Sequence, residues 1–270
     1  MLLPENDFMS TVPEAREGTA PAPIVRNRRI ISVASGKGGV GKTWCSISLS
    51  HALSEAGQRV LLFDGDLGLA NVDIQLGLMP QQDLSDVLSG TLTMRQARVS
   101  YLEGGFDIIA GRSGSGNLSS LPASVLSQIR ADLNDLSTDY DRIIVDLGAG
   151  IERTVRALTL QAGLSVVVIT PEPTSLTDSY AYIKVVTAKQ PVPDLRIIVN
   201  MAETREEGEK AYKTLLKACQ SFLKLSPPLA GIIRRDRKVP EAIRQQQPIL
   251  SYSPRSEAAQ DLRAIAAVLG

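Results

Sequence analysis

The residues best placed for chemistry are Gly36-Lys37-Gly38-Gly39-Val40-Gly41-Lys42-Thr43, which satisfy the pattern GxxxxGK[ST]. Glycines let consecutive backbone N–H groups turn toward phosphate oxygens, and a helix opening at the end of the loop adds its own N-terminal amides. Lys42 is then expected at the β- and γ-phosphates, and the Thr43 hydroxyl on Mg²⁺. Two acidic strand ends join this loop. Phe63-Asp64-Gly65-Asp66-Leu67-Gly68 places two carboxylates two residues apart, hence on one side of an extended segment. Ile143-Ile144-Val145-Asp146-Leu147-Gly148-Ala149-Gly150 is an apolar strand, an acid and a glycine-rich turn. Asp146 suits an outer contact to Mg²⁺ through water, and the glycines suit a loop that moves when a phosphate leaves.

These segments must be carried by a sheet. Short β-branched runs at Ile30–Ala34, Arg59–Asp64, Phe106–Ala110, Arg142–Asp146, Ser165–Thr170, Arg196–Asn200 and Leu229–Ile233 alternate with helical stretches. The helices are expected at Lys42–Ala56, Ala123–Leu136, Arg153–Gln161, Thr174–Lys189, Glu206–Leu223, Val239–Gln246 and Glu257–Leu269. Several strands are apolar on both alternating faces, as in a parallel sheet covered by helices on both sides. The fold class is therefore α/β, doubly wound, with a mostly parallel sheet and helices on both faces, and ligands are sought beyond the carboxyl ends of the strands. Residues 1–27, rich in Pro, Glu, Ser and Thr without apolar periodicity, are expected to be a disordered tail, with one domain over 28–270.

Composition narrows the partners. In 270 residues, 29 basic side chains balance 29 acidic ones, so no global field draws the chain to DNA or anionic lipid, and direct DNA binding is not expected. Cys45 and Cys219 lack CxxC spacing, which argues against a zinc or iron–sulfur ligand set within one chain. No stretch approaches the roughly 20 apolar residues of a membrane span, nor does the N-terminus have signal-peptide order, so a cytoplasmic location is expected. His51 is the sole histidine and fits a half-buried helix position. Trp44 follows the loop and suits packing more than base stacking.

The loop with its second lysine, Lys37, resembles the deviant Walker A signature KGGxGK[ST] of MinD/ParA-family ATPases. The resemblance implies a P-loop NTPase fold, ATP and Mg²⁺ as cofactors, and an ATP-bound homodimer in which Lys37 reaches the partner's nucleotide. It also implies that Asp66 orients the attacking water, with Lys37, Lys42 and Asp66 as the catalytic set, and that Asp64 supports the Mg²⁺ shell beside Thr43 and Asp146. By the same resemblance Asn200 meets the base, and Arg234-Arg235-Asp236 forms a nucleotide-proximal loop. Asp66-Leu67-Gly68-Leu69-Ala70-Asn71-Val72-Asp73, Asp146 to Ile151 and Glu172-Pro173-Thr174-Ser175-Leu176-Thr177-Asp178-Ser179-Tyr180-Ala181 are similar to the flagellar-number regulators of the FlhG/FleN branch.

That branch implies control of flagellar number or placement, with an FlhF-type GTPase, a flagellar switch-complex protein or a flagellar transcription activator as partner. No DQAxxLR segment occurs in residues 1–27, so stimulation of the GTPase has no motif to rest on. The helix at Glu257–Leu269 has Arg263 as its single basic residue and no aromatic, which favours core docking over membrane contact. The alternative is a ParA-like DNA-partitioning or other MinD-type positioning ATPase. For that reading the cluster Arg234, Arg235, Arg237 and Lys238 is the DNA-facing candidate, against a simpler role as a solvated edge of the nucleotide site.

Overall fold

A computed structural model describes residues 26–66, 68–111, 121–188 and 194–270. The expected tail, apart from its last two residues, lies outside them. The first strand already starts at Asn27, somewhat before the expected start of the fold, because Asn27 pairs across to Ala162.

The elements run in chain order as β1 Asn27–Ala34, α1 Lys42–Glu55, β2 Val60–Gly65, α2 Val72–Leu76, α3 Leu84–Leu88, β3 Val99–Tyr101, β4 Phe106–Ile109, α4 Ala123–Leu136 and β5 Arg142–Leu147. They continue with α5 Arg153–Gln161, β6 Ala162–Ile169, α6 Pro173–Thr187, β7 Asp194–Ala202, α7 Arg205–Ala218, β8 Leu229–Arg234, α8 Lys238–Arg244, α9 Ile249–Tyr252 and α10 Glu257–Leu269. One eight-stranded sheet results, in the order β3-β4-β2-β5-β1-β6-β7-β8. Every pairing is parallel except β3 with β4.

Both faces of the sheet are covered. Ile30, Phe63, Ile143 and Ile197 belong to a core built with α4, α5, α6 and α7, while Ile31, Leu62, Ile144 and Ile198 join α1 and α10 on the other side. Consecutive apolar residues in a strand thus serve opposite layers, which is why these strands read as unbroken hydrophobic runs. Helix α1 is buried from Thr43 through Leu53. Apolar groups on all sides of it are therefore expected, since the sheet covers one flank and α10 another.

Strand β1 is the switch point: β5 and β2 lie to one side and β6 and β7 to the other. The loop leaving its carboxyl end opens into the crevice where such sheets bind ligands. Helix α10 sits against α1 and β8 with Ala258, Leu262, Ile265 and Leu269 buried, so its apolar stripe is used in the core. Among the described residues, no helix is long and apolar enough to cross a membrane.

Candidate functional site

The loop Gly36–Thr43 joins β1 to α1. Gly39 (φ 79°) and Gly41 (φ 84°) adopt left-handed backbone that a side chain would strain. Gly41 is doubly constrained, because a Cβ there would lie 2.5 Å from Asn200 Nδ2. At Gly36 a Cβ would come within 2.1 Å of the Asp178 carbonyl carbon, so the loop packs directly on the α6 backbone.

Lys42 and Thr43 open α1 and line a 560 Å³ cleft together with Gly38, Gly39, Asp66 and Gly148. Behind the cleft floor, Asp146 is 1% exposed. It accepts hydrogen bonds from Ser46 Oγ at 2.8 Å and from the Thr43 side chain. Burial raises the Asp146 pKa, opposed first by the Lys42 ammonium and then by these hydroxyls. Asp64 is its register neighbour on β2, and burial followed by the charge of Asp146 pushes the Asp64 carboxyl upward too. Two acids packed this closely call for cations above them. A hydroxyl backed by a buried carboxylate, beside open cleft, fits a hard ion that keeps waters and takes its remaining ligands from phosphate. The residues present therefore fit Mg²⁺ bound with a nucleotide, at Thr43 with Asp146 behind it. Among the described residues no group of three or more His, Cys, Asp or Glu could hold a metal unaided.

Asp64, expected to support the Mg²⁺ shell, is engaged by backbone N–H groups. Its Oδ1 accepts from Asp66 N at 3.1 Å, and its Oδ2 from Asn71 N at 3.1 Å and Val72 N at 3.2 Å. These three bonds fix the turn that carries Asp66, and Asp64 is not among the residues lining the cleft. Asp66 itself is on the cleft wall, where Oδ1 accepts from Leu69 N at 3.2 Å. A Cβ on Gly148 would lie 3.3 Å from Asp66 Oδ1, so the turns after β2 and β5 meet at this carboxylate. Lys37 points to the other flank. Its Nζ donates to Glu172 Oε2 at 2.8 Å and to Thr174 Oγ1 at 2.9 Å, and the ammonium holds the exposed Glu172 carboxyl below its usual range.

A second cavity of 390 Å³ adjoins the first through Gly41, Trp44 and Ile243, and is lined further by Asn200, Met201 and Pro240. Asn200 is 2% exposed and its Nδ2 donates to Val40 O at 2.9 Å. This amide, expected to meet a base directly, first ties β7 to the phosphate loop. Trp44 is 7% exposed and packs in the core while lining both cavities, which joins the two roles weighed for it. Arg235 and Asp236 line the second cavity, with Arg235 paired to Glu203 at 2.6 Å.

Arg234 lines this cavity as well, and its guanidinium is tied to a neighbouring helix. It binds Asp261 of α10, with Nε to Oδ2 at 2.9 Å and Nη2 to Oδ1 at 3.0 Å, and also pairs with Glu257. Arg205 meets the same buried Asp261. Asp236 caps two backbones, accepting from Lys238 N at 2.8 Å and Ala258 N at 3.3 Å. With Lys238 paired to Glu241 at 2.8 Å, three of the four cations once grouped as a basic cluster carry a local carboxylate.

Met201, Val239, Pro240 and Ile243 were missed as cavity residues. Met201 is recognisable only by its left-handed φ of 58°, whereas the apolar residues of Lys238–Ile243 following a strand end were a usable signal.

The sequence profile described as the CobQ/CobB/MinD/ParA nucleotide binding domain matches residues 31–249. The chain belongs to that family. It is similar to the antiactivator FleN of Pseudomonas aeruginosa, at 36% identity over 88% of this chain and 85% of that protein. The flagellum site-determining protein YlxH of Helicobacter pylori is 30% identical over 90% of this chain and 82% of its own length. Among solved structures, the septum site-determining protein MinD of Pyrococcus horikoshii complexed with Mg-ADP superposes with a TM-score of 0.75 at 28% identity, covering 88% of this chain and 94% of that one. These likenesses support a P-loop ATPase of the MinD/ParA family on the FlhG/FleN branch.

Proposed function

We propose that this protein is a Mg²⁺-dependent ATPase that dimerises on ATP and acts in setting flagellar number or placement. The observation that carries the catalytic part is the convergence of Lys42, Thr43 and Asp66 on one cleft with Asp146 buried behind it. Lys42 neutralises charge at the β- and γ-phosphates, and the loop amides hold those phosphates in line. Mg²⁺, when bound at Thr43, would supply further neutralisation of the transferred phosphoryl group. Asp66 orients the attacking water by hydrogen bonding. That task requires position more than basicity, since the transition state of phosphoryl transfer is loose.

Adenine selection has a physical basis in Asn200. Asn200 lines the second cavity, and with Nδ2 donating to Val40 O the amide oxygen is the acceptor this side chain has to offer a base. An acceptor suits the adenine amino group and opposes the guanine carbonyl at the same edge.

The biological assignment rests on the likeness to FleN and YlxH. The cytoplasmic chain then works as one ATPase domain from Asn27 onward, with Lys37 acting across the dimer. A flagellar GTPase, switch-complex protein or transcription activator reads the nucleotide state. Contact with the membrane or cell pole would use something other than the apolar stripe of α10, which is spent on α1 and β8.

Asp66→Ala is expected to bind ATP and stay dimeric by light scattering while hydrolysis falls about 10²-fold. A monomeric Asp66→Ala in ATP would reject the switch. In cells, loss of the gene is expected to give extra or misplaced flagella by electron microscopy. Normal flagella with lost plasmids or chromosomes would favour the partitioning reading instead.

A further inference from the structure

The carboxyl edge of the sheet carries opposite charges on the two sides of the phosphate loop. Strand β1 lies between β5 and β6, so the loop is flanked on one side by the start of α5 and on the other by the start of α6. Arg153 and Arg156 stand one turn apart on α5. Both are exposed, while Thr154 and Val155 between them face inward. No salt bridge or hydrogen bond engages either guanidinium in the described structure, and the first turn of α5 borders the cleft through Glu152, Thr154 and Val155.

Beyond the loop the edge is acidic. Glu172 precedes α6, and with Glu203 and Glu207 it lines a 260 Å³ notch that also contains Thr170 and Arg235. Thr170 is 4% exposed and its hydroxyl has no hydrogen-bond partner. The notch thus holds three carboxylates against one cation of its own, Arg235, which pairs with Glu203, and a buried polar atom still unsatisfied, beside the glutamate that holds Lys37.

Two copies that meet across their nucleotide sites can be related by a two-fold axis along the row of strands or across it. The first choice keeps each element at the same strands while exchanging the faces, so α5 ends lie nearer α5 ends than the notch, and acid nearer acid. The second sets each α5 over its partner's notch. A two-fold interface uses the same patches twice, so either the repulsion or the attraction is counted double.

We propose that in the ATP dimer Arg153 and Arg156 of each protomer seat at Glu172, Glu203 and Glu207 of the other, displacing Lys37 from Glu172. This rests on the reading above that the ATP state is a dimer in which Lys37 crosses over. It adds which surfaces meet and what frees the lysine. In the monomer Lys37 is held by Glu172 and Thr174 on its own chain and must leave both before it can contact a partner's phosphate. A guanidinium arriving at Glu172 replaces the lost charge pair at the moment of docking, so breaking the first contact does not strand the carboxylate.

The test uses the full chain with Mg²⁺ and a non-hydrolysable ATP analogue, reading dimer fraction by light scattering across protein concentration. Binding of a fluorescent ATP analogue is followed in parallel. Arg153→Glu with Arg156→Glu is expected to weaken dimerisation about tenfold or more while nucleotide affinity in the monomer stays unchanged. Adding Glu172→Arg and Glu207→Arg to that double variant, which leaves the Glu203–Arg235 pair intact, is expected to restore dimerisation, a recovery that a folding defect would not produce. Wild-type dimerisation by the Arg153→Glu, Arg156→Glu protein, or no recovery in the reversed variant, overturns the surface assignment alone. A wild-type chain that stays monomeric with the analogue overturns the switch reading and the interface together.

Discussion

The phosphate end and the proposed base end of the nucleotide site are adjoining cavities built in different ways. At the phosphate end, functional atoms come from contiguous residues, Gly36 to Thr43, with Asp146 on the neighbouring β5 and Asp66 just past the end of β2. Backbone amides and the start of α1 are offered there by consecutive residues, so the local sequence nearly suffices to place them. At the base end, Asn200, Met201 and the Arg234–Ile243 segment meet only because β7 and β8 lie beside β1 through β6. Several polar groups there hold protein to protein: Asn200 to the phosphate loop, Asp236 to the start of α10, and Arg234 to Asp261. The lesson is that charge near a ligand cavity is often structural, and the two uses separate only when each partner is known.

Substitutions at the two ends are expected to split along this line. The largest effect is at the phosphate end. Asp146→Asn removes one of two buried neighbouring carboxylates while keeping its shape, so turnover should fall about 10²-fold or more. The nucleotide-free protein should melt at a higher temperature, because the buried like-charge repulsion with Asp64 is gone. Phosphate release and a melting curve check the two halves, and a lower melting temperature would show that Asp146 serves mainly as a hydrogen-bond anchor.

Arg234→Ala should act in the opposite sense. It strips one of two guanidinium partners from the buried Asp261 and should cost about 2–3 kcal/mol of stability by denaturant titration, since Arg205 remains. Nucleotide affinity should change by less than about threefold, because the guanidinium, although Arg234 borders the base-end cavity, is taken up by Asp261 and Glu257. A large loss of affinity with full stability would erase the contrast between the ends.

The smallest effect is expected at His51, on the side of α1 away from the phosphates and near Glu55 and Phe106. Burial lowers its pKa from 6.5, opposed by the Glu55 charge. The folded state thus resists protonation that the unfolded chain accepts. The stability this residue permits is present above pH 6.5 and is lost as pH falls through 6.5 toward the lower folded value. His51→Gln should flatten that acid-side decline without changing nucleotide binding at pH 8, as followed by chemical denaturation at a series of pH values.

Legibility followed the range of the interactions. Helices α4, α5 and α10 match their expected limits, since each is long enough for its apolar spacing and start signals to be counted. The edge strand β3 and the short helices α2, α3 and α9 were not foreseen, because three to five residues hold less than two turns or repeats of any pattern. The helix expected to run to Leu223 stops at Ala218 and continues as a π-helical turn over Cys219–Leu223, ended by Lys224 in a left-handed conformation.

The sequence by itself determined the α/β class, the phosphate loop and the acids beside it, because each depends on residues near in the chain and on backbone geometry. Tertiary structure alone decided that Asp64 braces a turn, that Asn200 holds the loop, that Arg234 serves α10 and that Lys37 rests on Glu172. The physical reason is common to all four: a charged or amide side chain has several admissible partners, and which it takes depends on strands and helices that converge from distant parts of the chain.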